Sequence, residues 1–240
     1  LINHGLTPQE SFFYRFLIAY LGIWVISPKR LFTNNWQDEL WLVAGGIFGG
    51  SLYFFTENTA LGITQASNVS FIICTAPLLT TILSLLFYKS EKASKGLIYG
   101  SLLALMGVGL IVFNGSFVLK ISPIGDLLTL LAALSWAFYS LIIKKMAGRY
   151  PTIFITRKIF FYGVLTILPA FLLHPLHPDT AVLLQPAVLF NLLFLAVLAS
   201  LICYVLWNVV LKQLGTVRAS NYIYLNPLVT MIASFLFLDG

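Results

Sequence analysis

The sequence has little charge. Asp, Glu, Lys and Arg make up 9% of its 240 residues, against 59% apolar residues and a mean hydropathy of +0.93. Soluble domains carry roughly 25% charged residues, so this chain cannot cover a water-facing surface, and most of its exterior must face lipid. There the backbone is satisfied only in helices or closed barrels, and long apolar runs decide for helices. Cysteine is scarce as well. Cys74 and Cys203 each lie inside an apolar run, which leaves no readable disulfide framework or metal cluster. Residues 1 to 8 lack the basic start and apolar run of a cleavable signal peptide, so none is expected. Gly-rich phosphate loops, paired-aspartate prenyl sites and zinc spacings are missing too, so neither a cofactor nor a metal is expected. One enzyme-like spacing exists, His174 and Asp179 with four residues between them, but Pro175 and Pro178 stiffen it and no nucleophile follows. His4 and His177 read as loop residues, and the chain is not expected to be an enzyme.

Apolar spans fall near residues 8–27, 38–61, 67–88, 96–113, 124–146, 152–173, 187–211 and 217–238, which predicts eight helices. Each approaches the ~20 residues that cross a bilayer. The net charge of +6 lies in the connections, so a nucleic-acid partner is not expected. Loops on one side, or helix ends beside them, carry Lys29, Arg30, Lys89, Lys92, Lys95, Lys144, Lys145, Arg149, Lys212 and Arg218; the other side's loops carry Lys120. Ten against one is a strong positive-inside bias, which makes the basic side cytoplasmic and the protein an inner-membrane one.

Within this framework one stretch occurs twice. Asn58–Phe87 shifted by 150 positions lies on Asn208–Phe237 without a gap, and eleven of the thirty positions are identical. They include Asn58/Asn208, Ser70/Ser220, Pro77/Pro227, Thr80/Thr230 and Ser84/Ser234, polar or special residues that apolar composition does not match by chance. Residues 67–88 run from outside to inside and 217–238 the other way, so the fold class is all-α, a polytopic transmembrane bundle of two inverted-topology repeats, residues 1–115 and 116–240. Gly45/Gly49 and Gly46/Gly50, and Gly96, Gly100 and Ala104, form stripes of small residues where helices can approach closely in lipid.

Several residues inside the spans could carry function. Pro77 and Pro227 lack an N–H, so the carbonyls of Ile73 and Ile223 lose their helical partners and the helices kink. Glu57 lies four residues, roughly 6 Å, from the outer end of its span, and Arg15 roughly 10 Å from the outer end of its own. The pair either forms a structural ion pair or jointly holds a zwitterionic solute. The second half has no acid in the matching span, which makes Glu57 the proton-coupling candidate. Asn58, Asn68, Asn208, Asn221 and Asn226 supply amides, with Tyr222 and Asn226 at four-residue spacing; Trp136, Tyr139, Tyr204 and Trp207 supply aromatic walls. Interhelical hydrogen bonding and interfacial packing are the alternative roles for these residues.

Together these segments resemble the drug/metabolite transporter superfamily in its EamA branch. The resemblance is carried by Ala60-Leu61, Ala66-Ser67-Asn68, Pro77 and Glu91 in the first half, and by Leu211, Arg218-Ala219-Ser220-Asn221 and Pro227 in the second. Gly125-Asp126, Trp136 and Tyr139 are similar to the start of the family's second repeat. The resemblance implies ten spans in two five-helix repeats, of which about eight complete helices are present, most of the first and all of the last being absent. It also implies a secondary transporter, an exporter of small metabolites working by alternating access. Its expected partners are a small-molecule substrate and membrane lipids, with a homodimer left open as an alternative to a monomer. A membrane-embedded enzyme acting on a lipid-linked substrate is the runner-up.

Overall fold

The computed structural model describes residues 6–28, 32–88, 95–113, 122–173, 175–176 and 180–229, and all secondary structure among them is helical. The calls on His4, Lys29, Arg30, Lys89, Glu91, Lys92, Lys120, His174, His177, Pro178 and Asp179, and on the repeat beyond Val229, lie outside the described residues. Helix α1 spans Pro8–Ile26, where a capping box sets the start. The Glu10 N–H donates to Thr7 Oγ1 at 3.2 Å, while the Thr7 N–H and hydroxyl both donate to Glu10 Oε2 at 2.9 Å. Helix α2 (Trp36–Gly46) is capped by Asn35, whose side chain accepts the Asp38 N–H at 2.8 Å. It runs through a π-helical segment, Ile47–Ser51, into α3 (Leu52–Ile63). Then come α4 (Ala66–Ile73), α5 (Ala76–Phe87), α6 (Lys95–Phe113), α7 (Pro123–Ala147), α8 (Thr152–Ile167) and the short α9 (Ala170–Leu173) and α10 (Thr180–Leu183). Helix α11 (Pro186–Leu193) continues through a second π segment, Phe194–Ile202, into α12 (Cys203–Leu214). Gly215 turns the chain at φ 80°, a conformation that glycine adopts without strain, into α13 (Thr216–Ser220) and a 3₁₀ segment, Asn221–Leu225.

Asn68–Phe87, Pro123–Ala147, Thr152–Leu172 and Pro186–Leu214 are long and apolar enough to cross a membrane. The rods Pro8–Ile26 and Trp36–Ile63 carry Glu10 and Arg15, and Asp38, Glu39, Glu57 and Asn58, which lower their hydropathy. Outward faces are apolar: Leu86 and Leu103 are each 71% exposed, as a lipid-facing surface requires.

The two π segments occupy equivalent places in the repeat. Ile47–Ser51 shifted by 150 falls on residues 197–201, inside Phe194–Ile202. The doubled stretch begins at Asn58, yet the departure from α-helical winding is shared further upstream.

The described chain forms two compact units. The first comprises Leu1–Phe55 and Ile142–Gln213, the second Thr56–Leu141 and Leu214–Gly240, so each draws on both halves of the sequence. In the first unit α8 packs on α1, α2 and the first π segment, and α1 on the second π segment. Glycine makes this possible. A Cβ on Gly46 would stand 2.5 Å from Tyr162 Cβ and 2.9 Å from the Gly163 nitrogen, and one on Gly50 3.3 Å from Gly163 Cα. The Gly45/Gly49 and Gly46/Gly50 stripes thus lie at a backbone-to-backbone crossing with α8. The stripe on α6 behaves differently. A Cβ on Gly100 would have nothing within 4 Å, whereas one on Gly109 would stand 3.1 Å from the Phe71 ring, so the contact expected of Gly96, Gly100 and Ala104 is not made at Gly100. A run of small residues permits close approach without compelling it. Around the crossing, Phe12, Phe16, Phe54, Phe160 and Tyr204 form the first unit's aromatic core, with Phe16 fully buried and edge-on to Phe160 at 5.1 Å.

In the second unit the helix breaks at Cys74–Thr75, and Pro77 falls in the first turn of α5, where its missing N–H leaves no bond unmade. The Thr75 hydroxyl donates to the Ile72 carbonyl at 2.6 Å. Before Pro227 the chain tightens into the 3₁₀ segment, and the Asn226 N–H donates to the Ile223 carbonyl. That carbonyl therefore keeps a partner. The expectation that Pro227 frees it is corrected, because a 3₁₀ turn moves the donor from the fourth following residue to the third.

Gly46→Ala should lower stability by about 1–3 kcal/mol through overpacking, while Gly100→Ala, in open space, should gain up to ~1 kcal/mol from helix propensity. Parallel thermal unfolding of the two variants in detergent checks the ranking.

Candidate functional site

The first unit collects four of the residues singled out by sequence: Arg15, Tyr204, Trp207 and Asn208. Arg15 leaves α1 with its Nε donating to Ser200 Oγ at 2.9 Å, and its guanidinium lies 4.4 Å from the centroid of the Phe54 ring. Ser200 belongs to the second π segment and is fully buried. One turn on, the buried Tyr204 donates its hydroxyl proton to the Gly49 carbonyl in the first π segment, and its ring meets Phe16 and Phe160. A further turn along α12, Asn208 Nδ2 donates to Thr156 Oγ1 at 2.9 Å, and Thr156 donates to the Thr152 carbonyl. Trp207, half-buried, lies on a neighbouring face of α12. The two π segments thus each present a polar group to a residue of this set. An extra residue per turn loosens the ladder and leaves groups available for side chains, as π-bulges do at many functional sites.

The second unit holds Glu57, Asn58, Asn68, Trp136, Tyr139, Asn221, Tyr222 and Asn226. Trp136 and Tyr139 pack with ring centroids 5.1 Å apart, and Tyr139 is fully buried. Asn68 is buried, while Glu57 and Asn58 are half-buried. Asn221 accepts a hydrogen bond from Ser101 at 3.1 Å. Tyr222 is 57% exposed and Asn226 is exposed. Four-residue spacing puts two residues on one face of an α-helix, but Asn221–Leu225 winds as a 3₁₀ segment, in which that spacing does not fix a shared face. Arg15 and Glu57 belong to different units.

Sequence reasoning missed the most heavily bonded polar cluster of the first unit. Glu39, in the first turn of α2, accepts from Lys158 Nζ and from the Tyr162 hydroxyl, both on α8. Its other oxygen takes the Thr33 N–H at 2.9 Å and the Thr33 hydroxyl at 2.7 Å. Next to it, Asp38 accepts from Arg149 and, at 2.9 Å, from the Tyr150 hydroxyl. Arg157 donates to the Ser27 carbonyl at the end of α1. The available signal was two adjacent acids opening a span, and Arg157-Lys158, two adjacent bases inside another. Among the described residues no group of His, Cys, Asp and Glu is arranged to hold a metal.

The family model for EamA-like transporters matches twice, at residues 1–113 and 123–240. The chain belongs to the EamA-like transporter family. It is a transporter-family, multi-pass membrane protein, as the resemblance implied. Among curated relatives of this transporter, an "Uncharacterized transporter" of Archaeoglobus fulgidus is 30% identical over 96% of this chain and 79% of its own length. The "Uncharacterized transporter YyaM" of Bacillus subtilis is 29% identical over 95% of this chain and 76% of its own length. A "Probable amino-acid metabolite efflux pump" of Escherichia coli is 23% identical over 98% and 79%. A solved crystal structure superposes with a TM-score of 0.77 at 19% identity, covering 97% of this chain and 79% of that one, which establishes the shared fold.

In this transporter Tyr204→Phe should cost about 1 kcal/mol of stability by leaving the buried Gly49 carbonyl without the tyrosine's hydrogen. Chemical unfolding in detergent measures it, and the helical circular dichroism should not change.

Proposed function

We propose that this protein is a secondary transporter that exports small polar or amphipathic metabolites, amino acids or related compounds, by alternating access between two inverted repeats, residues 1–115 and 116–240. The observation that carries the reading is the doubled segment, each copy of which is preceded by a π segment at an equivalent place. Inverted repeats suit alternating access because two equivalent bundles can rock about a site near the midplane, where broken helices expose polar backbone. The broken helix before Pro77 and the 3₁₀ segment before Pro227 fit that architecture. The ten-to-one distribution of basic residues supports basic loops in the cytoplasm of a cell with this protein in its inner membrane.

The substrate class draws support from the name of the Escherichia coli relative, an efflux pump for amino-acid metabolites, and from Arg15. A guanidinium steadied by Ser200 and Phe54 presents a planar fork suited to a carboxylate. In this reading Tyr204, Trp207 and Asn208 shape the pathway beside Arg15, and Asn58, Asn68, Trp136, Tyr139 and Asn221 shape it in the second unit. Glu57 carries the coupled proton, since an ionisable group inside a span is costly unless it is used.

Uptake into liposomes by the full-length protein tests this, with a pH gradient as the variable. Labelled amino-acid-type solutes should accumulate with the gradient, and Glu57→Gln should retain exchange while losing the gradient's effect. Unaltered pH dependence in that variant removes Glu57 from the coupling role.

A further inference from the structure

Near its start, α2 moors two cations on one of its faces. Arg149 sets Nη1 on Asp38, and the Lys145 ammonium stands 3.6 Å from the centroid of the Trp41 ring. Asp38 and Trp41 are three positions apart in an α-helix, a spacing that holds Cβ atoms roughly 5–6 Å from each other. The lysine, in the last turn of α7, and the arginine just past its end are therefore held side by side.

The charges around this pair do not balance. Asp38 gives one oxygen to Arg149 and the other to the Tyr150 hydroxyl, while Glu39 is taken up by Thr33, Lys158 and Tyr162. Lys145 has no carboxylate partner among the described residues, and of the Arg149 guanidinium only Nη1 is bonded there. Two cations against one carboxylate leave a surplus of one positive charge, with N–H donors to spare on both cations. The carboxylate is buried, with Asp38 at 4% exposure, whereas the Arg149 side chain is 53% exposed and Lys145 is part-exposed. The surplus faces outward.

Beside the pair the surface is apolar: Trp36 is 74% exposed, Leu40 50% and Trp41 40%. The loops at this end are the basic ones, so the pair stands where the spans give way to headgroups. An aromatic belt needs only rings at that depth. Here one ring also holds an ammonium over its face, an attraction that strengthens as water is excluded, and a fixed positive charge at headgroup depth discriminates among lipids. A soluble anion would use the two cations and gain nothing from Trp36 and Leu40. A phospholipid uses both, its phosphate against the cations and a chain along the apolar face. We propose that Lys145 and Arg149, set on Trp41 and Asp38, bind the phosphate of an anionic phospholipid in the leaflet at the basic end, with an acyl chain against Trp36 and Leu40. All six residues belong to the first unit, and the site does not depend on whether the protein moves solute.

The test uses the full-length protein in phosphatidylcholine vesicles carrying a rising fraction of brominated phosphatidylglycerol, whose bromines quench tryptophan on contact. The signal of Trp36 and Trp41 is the difference between the unaltered protein and W36F/W41F. Phosphatidylglycerol should quench it at a lower fraction than brominated phosphatidylcholine does. K145Q should weaken that preference about fivefold, the factor for the ~1 kcal/mol that one basic residue contributes at a membrane surface, and K145R, which keeps the charge, should retain it. Lys212, exposed in the last turn of α12 at the same end, is the control: K212Q should leave the preference unaltered. Equal weakening by K212Q overturns the site, because the attraction is then that of a diffuse basic surface. A preference that K145Q does not alter overturns it too, as does displacement of the lipid by inorganic phosphate at constant ionic strength, which assigns the pair to a soluble anion.

Discussion

Hydrocarbon offers no hydrogen bonds, so each polar group carried into the membrane has to be matched by the protein itself. This constraint explains most of the bonding in the spans. Small hydroxyls fold back on their own helix: Thr81 on the Pro77 carbonyl, Thr129 on Gly125, Ser140 on Trp136, Thr156 on Thr152 and Thr166 on Tyr162. Larger groups reach across helices, Arg15 to Ser200, Tyr204 to Gly49 and Asn208 to Thr156. The first kind lets polar residues sit in a span without specifying a neighbour. The second specifies which helices meet, and it is concentrated where the two π segments lie.

Close backbone approach is the companion to those bonds. Without a hydrophobic force between helices in lipid, contact area decides association. Gly46 and Gly50 bring the first π segment onto Gly163, and Phe16 fills the space beside them. This crossing joins α2 of the first half to α8 of the second, so the compact units are not the halves of the sequence. Each unit is completed by helices from both halves of the sequence.

What a linear reading could reach depended on whether the signal is local. Helical class, four of the spans among the described residues and the doubling are properties of neighbouring residues, and the break ahead of Pro77 suits a residue with no N–H. Arg15 and Asn208 were conspicuous as polar residues in apolar runs, and the structure gives both buried or half-buried partners. Glu39 and Lys158 were not found because their partnership spans 119 positions, and each alone resembles a span boundary or a snorkelling base. Tyr222 and Asn226 show where a spacing argument stops. Their spacing assumed 3.6 residues per turn in a segment wound at three. Gly100 shows the same limit, since small residues record permission for contact and say nothing about which partner arrives.

The π segments also set the angular phase of everything after them. An inserted residue rotates the downstream helix by about 100° relative to uninterrupted α-winding. The faces on which Glu57 and Asn58 stand in α3, and Tyr204 and Asn208 in α12, are thus dictated by Ile47–Ser51 and Phe194–Ile202 upstream. Removing one residue from either segment would leave composition and hydropathy almost unchanged, yet would swing the polar side chains of the following rod by more than a quarter turn.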